Sequence, residues 1–143
     1  VRGRDRARPG GLGVAAMRAE NLTVFAAVAV NSFGVVDVDG GELASMVALA
    51  RPKGVGDPSL FTNTVIGVVA TNARLDKLGC LIAAQGAHDG LARAVAPPHS
   101  RVDGDAFIAA ATGKVEADVD AVRLLAMSAV DRAIRSAGTT RPR

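Results

Sequence analysis

Apolar positions fall along this chain in two rhythms, and the change from one to the other marks out its elements. Gly11 to Arg18 and Thr23 to Val36 read as strands, the second holding a continuous run from Val24 to Val30 of the kind buried on both faces. Asn21 lies between them, as in a hairpin. From Asp37 to Thr62 the pattern loosens into Asp-Val-Asp-Gly-Gly, a short apolar stretch from Leu43 to Ala50, and Arg-Pro-Lys-Gly-Val-Gly-Asp-Pro. That composition predicts an exposed connection with a helical turn or two. Thr64 to Thr71 is β-branched and apolar, hence a buried strand, and Asn72 is expected to end it.

Beyond this point the spacing changes. Leu81, Ala84, His88, Leu91 and Val95 recur at three and four, and Gly79, Ala83, Gly86, Gly90 and Ala94 form a second face of small residues. The spacing predicts a helix from Leu75 to Val95, stopped by Pro97 and Pro98. A glycine inside a helix costs about 1 kcal/mol relative to alanine, so three of them predict close approach to a flat sheet. Asp105 to Thr112 reads as a further strand closed by Gly113. Asp118 to Ala137 reads as a helix with acidic residues in its first turn, an Asp131–Arg135 pair, and Gly138 just past its end. The order strand, strand, loop, strand, helix, strand, helix predicts one layered α/β or α+β domain.

Composition sharpens the picture in three places. Aromatic residues make up 3% of the 143 positions and all are Phe, so the core must be closely packed Ala, Val, Leu and Ile, in tight layers rather than a roomy barrel. The net charge of +3 is spread evenly: seven basic against six acidic residues precede Thr64, and ten against eight follow from it. Arg2, Arg4, Arg6 and Arg8 are interrupted by Asp5 and lack interleaved aromatics, which argues against nucleic acid as a partner. No apolar run nears the roughly 20 residues that cross a bilayer, so a soluble protein without a membrane partner is expected. Cys80 is the sole cysteine, which excludes an intrachain disulfide and suits a reducing cytoplasm. The chain opens on Val1 rather than Met, which predicts that it begins partway through a longer product.

Familiar catalytic motifs are missing: there is no Gly-x-Ser-x-Gly, no phosphate loop and no His-Glu-x-x-His. Neither a cofactor nor a metal is expected. Cys80 reads as a small buried hydrophobe, His88 as a satisfied residue on the core side of its helix, and His99 as a loop residue. Two features remain. Thr64 opens a buried strand directly after a Gly/Pro-rich loop ending in Leu-Phe-Thr-Asn. A threonine whose own amine is free can attack with its hydroxyl and take the proton on that amine, whose reference pKa of about 7.7–8.0 suits neutral pH. Freeing the amine requires a cut after Asn63, which the same hydroxyl can make by an N-to-O acyl shift. On this feature alone an ordinary strand threonine is the simpler reading. The second feature is Asp103-Gly104-Asp105 at the mouth of the next strand. If the strand runs through the triplet, both carboxylates point to one side, although such a triplet by itself is more often a turn or a solvated strand end.

Taken together, several stretches resemble one family. Asn-Thr-Val-Ile-Gly-Val-Val-Ala-Thr-Asn (63–72), Ala-His-Asp-Gly-Leu-Ala-Arg-Ala (87–94), Asp-Gly-Asp-Ala-Phe (103–107) and Ala-Thr-Gly (111–113) resemble the C-terminal subunit of the DmpA-type aminopeptidases, peptidase family S58. Upstream, Ala-Arg-Pro-Gly-Gly-Leu-Gly (7–13) and Ala-Val-Asn-Ser-Phe-Gly (29–34) resemble the end of that family's larger subunit. The resemblance covers nearly the whole chain.

It implies an α-β-β-α sandwich, of which this chain is the C-terminal portion, and an N-terminal-nucleophile hydrolase that cuts itself into two associated subunits and hydrolyses amide bonds. Residues 1–63 would end the larger subunit in an exposed loop and 64–143 would form the smaller one, together one structural domain. Thr64 would be nucleophile and base, Asn31 would donate into the oxyanion hole, and Asp103 and Asp105 would orient the threonine. The substrate would be a small peptide or amide, and the enzyme a homo-oligomer. Threonine with Asp-Gly-Asp is closer to the nylon-oligomer hydrolase branch than to the branch that uses serine and Ser-x-Glu. A Lys or Tyr that helps build the family's site would fall before Val1, in an upstream segment of the same polypeptide, and Val65 replaces a second threonine common after the cut. Two alternatives follow: an incomplete fragment that needs its missing upstream segment, or an acyltransferase of the ornithine acetyltransferase kind.

Overall fold

In the computed structural model, residues 10–36, 63–101 and 103–137 are described. Strands β1 (Gly11–Ala19) and β2 (Leu22–Asn31) form an antiparallel hairpin in which Ala19 pairs with Leu22. Its two-residue turn places Glu20 at φ 52°. β2 pairs antiparallel with β4 (Thr64–Ala73), and β4 pairs parallel with β6 (Ala106–Val115), giving the sheet order β1-β2-β4-β6. The parallel step is made through helix α1 (Lys77–Ala94), since parallel neighbours cannot be joined by a tight turn. Helix α2 (Val119–Ala137) follows β6.

Both helices lie on one face of the sheet, α2 over β1 and β2 and α1 over β6. Val24, Val28, Val65 and Val69 from the sheet meet Leu91, Val122, Val130 and Ile134 from the helices, all fully buried. Each helix begins on an aspartate. Asp76 accepts the Gly79 amide at 2.7 Å, and Asp118 accepts those of Asp120 and Ala121 at 2.8 and 3.2 Å, satisfying donors that a first turn leaves without partners. Arg135 pairs with Asp131 at 2.9 Å along α2.

The structure corrects several expectations. β2 stops at Asn31 rather than Val36. Ser32–Gly34 turn the chain, and Val35–Val36 become a separate short strand, β3, paired with β5 (Val95–Ala96) at the end of α1. The run from Val24 to Val30 is buried on alternate positions only, with Phe25 40% exposed. Among the described residues, the face away from the helices bears Leu12, Val14, Phe25, Ile66, Val68 and Ile108, all exposed. Asn72 does not end β4 but fastens the hairpin turn to it, accepting the Thr23 amide and donating to the Asn21 carbonyl, both at 2.8 Å.

Gly86 and Gly90 on the small-residue face of α1 meet the other helix instead of the sheet. A Cβ on Gly86 would lie 2.5 Å from the Arg123 carbonyl oxygen, and one on Gly90 would run into Met127 and Val130. Glycine here lets two helix backbones approach, whereas Leu78 and Leu81 point outward. Finally, β6 begins at Ala106 and runs through Gly113 to Val115, so Asp103 and Asp105 precede it in the connection. Leu43–Ala50, the connection over 37–62, the arginines before Gly10 and Gly138 lie outside the described residues.

Candidate active site

Thr64 is the first residue of β4, and its register partner is Asn31, the last residue of β2. Residues paired across antiparallel strands share a face. Val30 and Val65 are buried toward the helices, so Asn31 and Thr64 stand on the opposite, open face. A shallow depression lined by Gly11, Ala29, Val30, Asn31, Thr64 and Ile66 lies there. The sheet thus brings Asn31 and Thr64 together.

The peptide bond before Thr64 is held from two sides. Asn63 bridges to Asp103 in parallel fashion, and the Gly104 amide donates to the Asn63 carbonyl at 3.2 Å. The Thr64 hydroxyl donates to the same carbonyl oxygen at 2.5 Å. A Cβ on Gly104 would lie 3.1 Å from Thr64 Oγ1, so the absent side chain leaves the hydroxyl its room.

Asp103 and Asp105 are both beside this junction, but they reach it through its neighbours. Asp103 accepts the Phe33 amide on Oδ1 at 3.0 Å and the Ser100 hydroxyl on Oδ2 at 2.9 Å, tying the turn after β2 to the connection before β6. Asp105 accepts the Val65 amide on Oδ1 at 2.9 Å, one residue from Thr64, and its Oδ2 lies 2.9 Å from Nδ1 of His99. The two carboxylates therefore do not act as one ladder of side chains along a strand, because the strand has not yet begun.

His99, Ser100 and the Gly104 amide were not singled out for chemistry by the sequence pattern. The available signal is that Pro97-Pro98-His99-Ser100 is a short link between a helix and the start of a strand, which leaves its side chains within reach of that start. His88 departs from the expected core position. It is half-buried, its ring 5.0 Å from those of both His99 and Phe107, in a cleft shared with Gln85, Asp89 and Arg123. Burial, followed by repulsion from His99, holds its pKa below the usual 6.5, and Asp105 and Asp89 pull weakly the other way. Asp89 is paired with Arg123 at 2.7 Å. Cys80, expected to be buried, is partly exposed.

Known proteins resemble this chain in sequence and in fold. The chain is 42% identical, across 83% of its length and 37% of the relative's, to an uncharacterized aminopeptidase of Mycobacterium leprae (strain TN). An uncharacterized aminopeptidase of Mycobacterium tuberculosis (strain ATCC 25618 / H37Rv) is 36% identical across 68% of this chain and 28% of its own. Among solved structures, a β-aminopeptidase from Burkholderia sp. superposes with a TM-score of 0.67 at 25% identity, over 91% of this chain and 42% of that one. The L-aminopeptidase D-Ala-esterase/amidase of Ochrobactrum anthropi, described as a variant of the Ntn-hydrolase fold, shares the fold with a TM-score of 0.59 at 22% identity, over 91% and 40%. The chain therefore spans less than half the length of these relatives, which are named as aminopeptidases and not as acyltransferases. The family model for peptidase family S58 matches residues 7–140, and the chain belongs to that family.

Proposed function

We propose that this chain carries the cleavage junction and the nucleophile of a self-processing amide hydrolase, cut after Asn63 and acting through Thr64. The observation that carries the reading is the convergence of the Thr64 hydroxyl, at 2.5 Å, and the Gly104 amide, at 3.2 Å, on the Asn63 carbonyl oxygen. The hydroxyl attacks the carbonyl carbon, and negative charge builds on an oxygen that already faces the Gly104 N–H, a donor placed as in an oxyanion hole. The C–N bond to Thr64 then breaks, its nitrogen takes a proton, and an ester joins Oγ1 to Asn63. Water hydrolyses that ester, leaving a carboxylate on Asn63 and a free amine on Thr64. Residues 1–63 and 64–143 would then belong to two subunits of one structural domain.

In turnover the amine takes the hydroxyl proton as Oγ1 attacks a substrate amide, Asn31 donates to the oxyanion, and the amine returns the proton to the leaving amine. Water releases the acyl group and restores Thr64. Asp105, through the Val65 amide, and Asp103, through the turn at Phe33, keep the junction in place. Small peptides or amides are the substrate class, and threonine with Asp-Gly-Asp favours the nylon-oligomer hydrolase branch. Exposed Leu78, Leu81 and Leu124 on the outer helix surfaces favour an assembly of several copies. The open apolar sheet face favours cover by a second sheet, completing the α-β-β-α layering.

Intact mass and N-terminal sequencing of the full-length protein test the reading. Two fragments are expected, the second beginning at Thr64. An active enzyme with an unbroken chain would overturn it.

A further inference from the structure

His99 sits in the connection between β5 and β6 with φ 48°, in the left-handed region that residues bearing a Cβ seldom occupy. Such a conformation persists only where its surroundings hold it, and it gathers at functional sites. Here it brings Nδ1 to 2.9 Å from Asp105 Oδ2, while Asp105 Oδ1 accepts the Val65 amide at 2.9 Å. The Asp105 side chain is 5% exposed and the His99 side chain 39%, so the contact runs from the cleft at His88 inward to the strand that carries Thr64. A carboxylate only accepts, so the proton of this contact lies on Nδ1. With both oxygens tied, the carboxylate has one orientation. With Oδ2 released, it is free to turn about its own bond and to loosen its hold on Val65.

We propose that His99 is a positioning residue for the reaction proposed above: its Nδ1–H fixes the Asp105 carboxylate, and through the Val65 amide fixes the start of β4 and the Thr64 hydroxyl. The proposal rests on Thr64 being the nucleophile. A merely structural His99 would anchor the loop and leave the chemistry untouched, and two substitutions separate these roles. Glycine and asparagine both tolerate the left-handed backbone, but only asparagine offers an N–H near the place of Nδ1.

The test uses the full-length protein made by cell-free synthesis, with self-cleavage followed by intact mass. kcat and KM of the processed enzyme are then measured on the amino-acid anilide that the wild type turns over fastest. His99→Gly should slow both the cut and kcat by roughly 10- to 100-fold with KM within about twofold, and His99→Asn should stay within about threefold of wild type, as for loss and replacement of an orienting partner. Wild-type rates in His99→Gly overturn the proposal, as does a loss confined to KM or an equal loss in His99→Asn. Thr64→Ala is run alongside. If it cuts and turns over, the reading of the nucleophile fails and this proposal with it. If it is inert while His99→Gly is normal, this proposal alone fails.

Discussion

The Gly104 amide and the Asn63 carbonyl face each other at 3.2 Å, and the bare Cα of Gly104 leaves space beside the Thr64 hydroxyl. Gly104→Ala would set a methyl group 3.1 Å from Oγ1. A contact that tight makes the hydroxyl or the loop give way, at about 1–2 kcal/mol for a single overpacked methyl. Self-cleavage should slow by roughly 10-fold, since 1.4 kcal/mol is a factor of ten. Time-resolved intact mass checks it, and an unchanged rate would show that the space at Gly104 is not used.

At Thr64 itself, Thr64→Ala should leave the chain whole and inactive, while Thr64→Ser should retain part of both functions, because a hydroxyl remains beside the same carbonyl. Denaturing electrophoresis and turnover on one sample decide the matter. Normal activity in the alanine variant contradicts the assignment.

The two aspartates should differ in their effects. Asp105→Asn places an NH2 against either the Val65 amide or His99 Nδ1, one residue from the nucleophile, and should lower kcat of processed enzyme by roughly 100-fold. Asp103→Asn disturbs the Phe33 turn and Ser100 and should cost less in kcat. Near wild-type rates in both variants, with full processing, would make the carboxylates structural.

His88 makes stability depend on pH. Its native pKa is held below the unfolded value of 6.5, so the unfolded chain binds more protons as the medium becomes acidic. The contribution is fully present above about pH 6.5 and is lost as pH falls toward the depressed native value. Thermal midpoints at pH 7.5 and 5.5 should therefore fall further in the wild type than in His88→Gln. An equal fall in both would remove His88 as the cause.

Gly86→Ala sets helix propensity against packing. Alanine gains about 1 kcal/mol as a helix former, but its Cβ would lie 2.5 Å from the Arg123 carbonyl oxygen, and overpacking costs about 1–3 kcal/mol or more against backbone. A net loss of about 1–2 kcal/mol is expected from denaturant titration of the full-length protein. A gain would mean that the helices can part without penalty.

Local chemistry made the elements legible and left their surroundings obscure. The β-branched run after Asn63 and the spacing of α1 needed no tertiary knowledge. Which face of α1 met the other helix did, since small residues pack against either a helix or a sheet, and only the layout of the whole domain chooses between them. The end of β2 was hidden because β-branched Val35 and Val36 resume the apolar pattern just past Asn-Ser-Phe-Gly, and the turn there is held by Asp103 from far along the chain. Thr64, Asn31, Asp103 and Asp105 were nameable as candidates, and the fold gathers all four near one strand end. The Asp105–His99 contact was not readable in advance, because a histidine in a proline-flanked loop takes its meaning from where the loop folds.

Chain ends ordinarily fray, because a terminal residue lacks neighbours to hold it. β4 runs between β2 and β6, paired with β2 from Thr64 and with β6 from Ile66 onward. A scission before Thr64 would free a charge without loosening a chain. The new amine would stay held beside β2 through the pairing of Thr64 with Asn31, and the two pieces could separate only by unzipping the ladder from Asn31–Thr64 to Val24–Thr71.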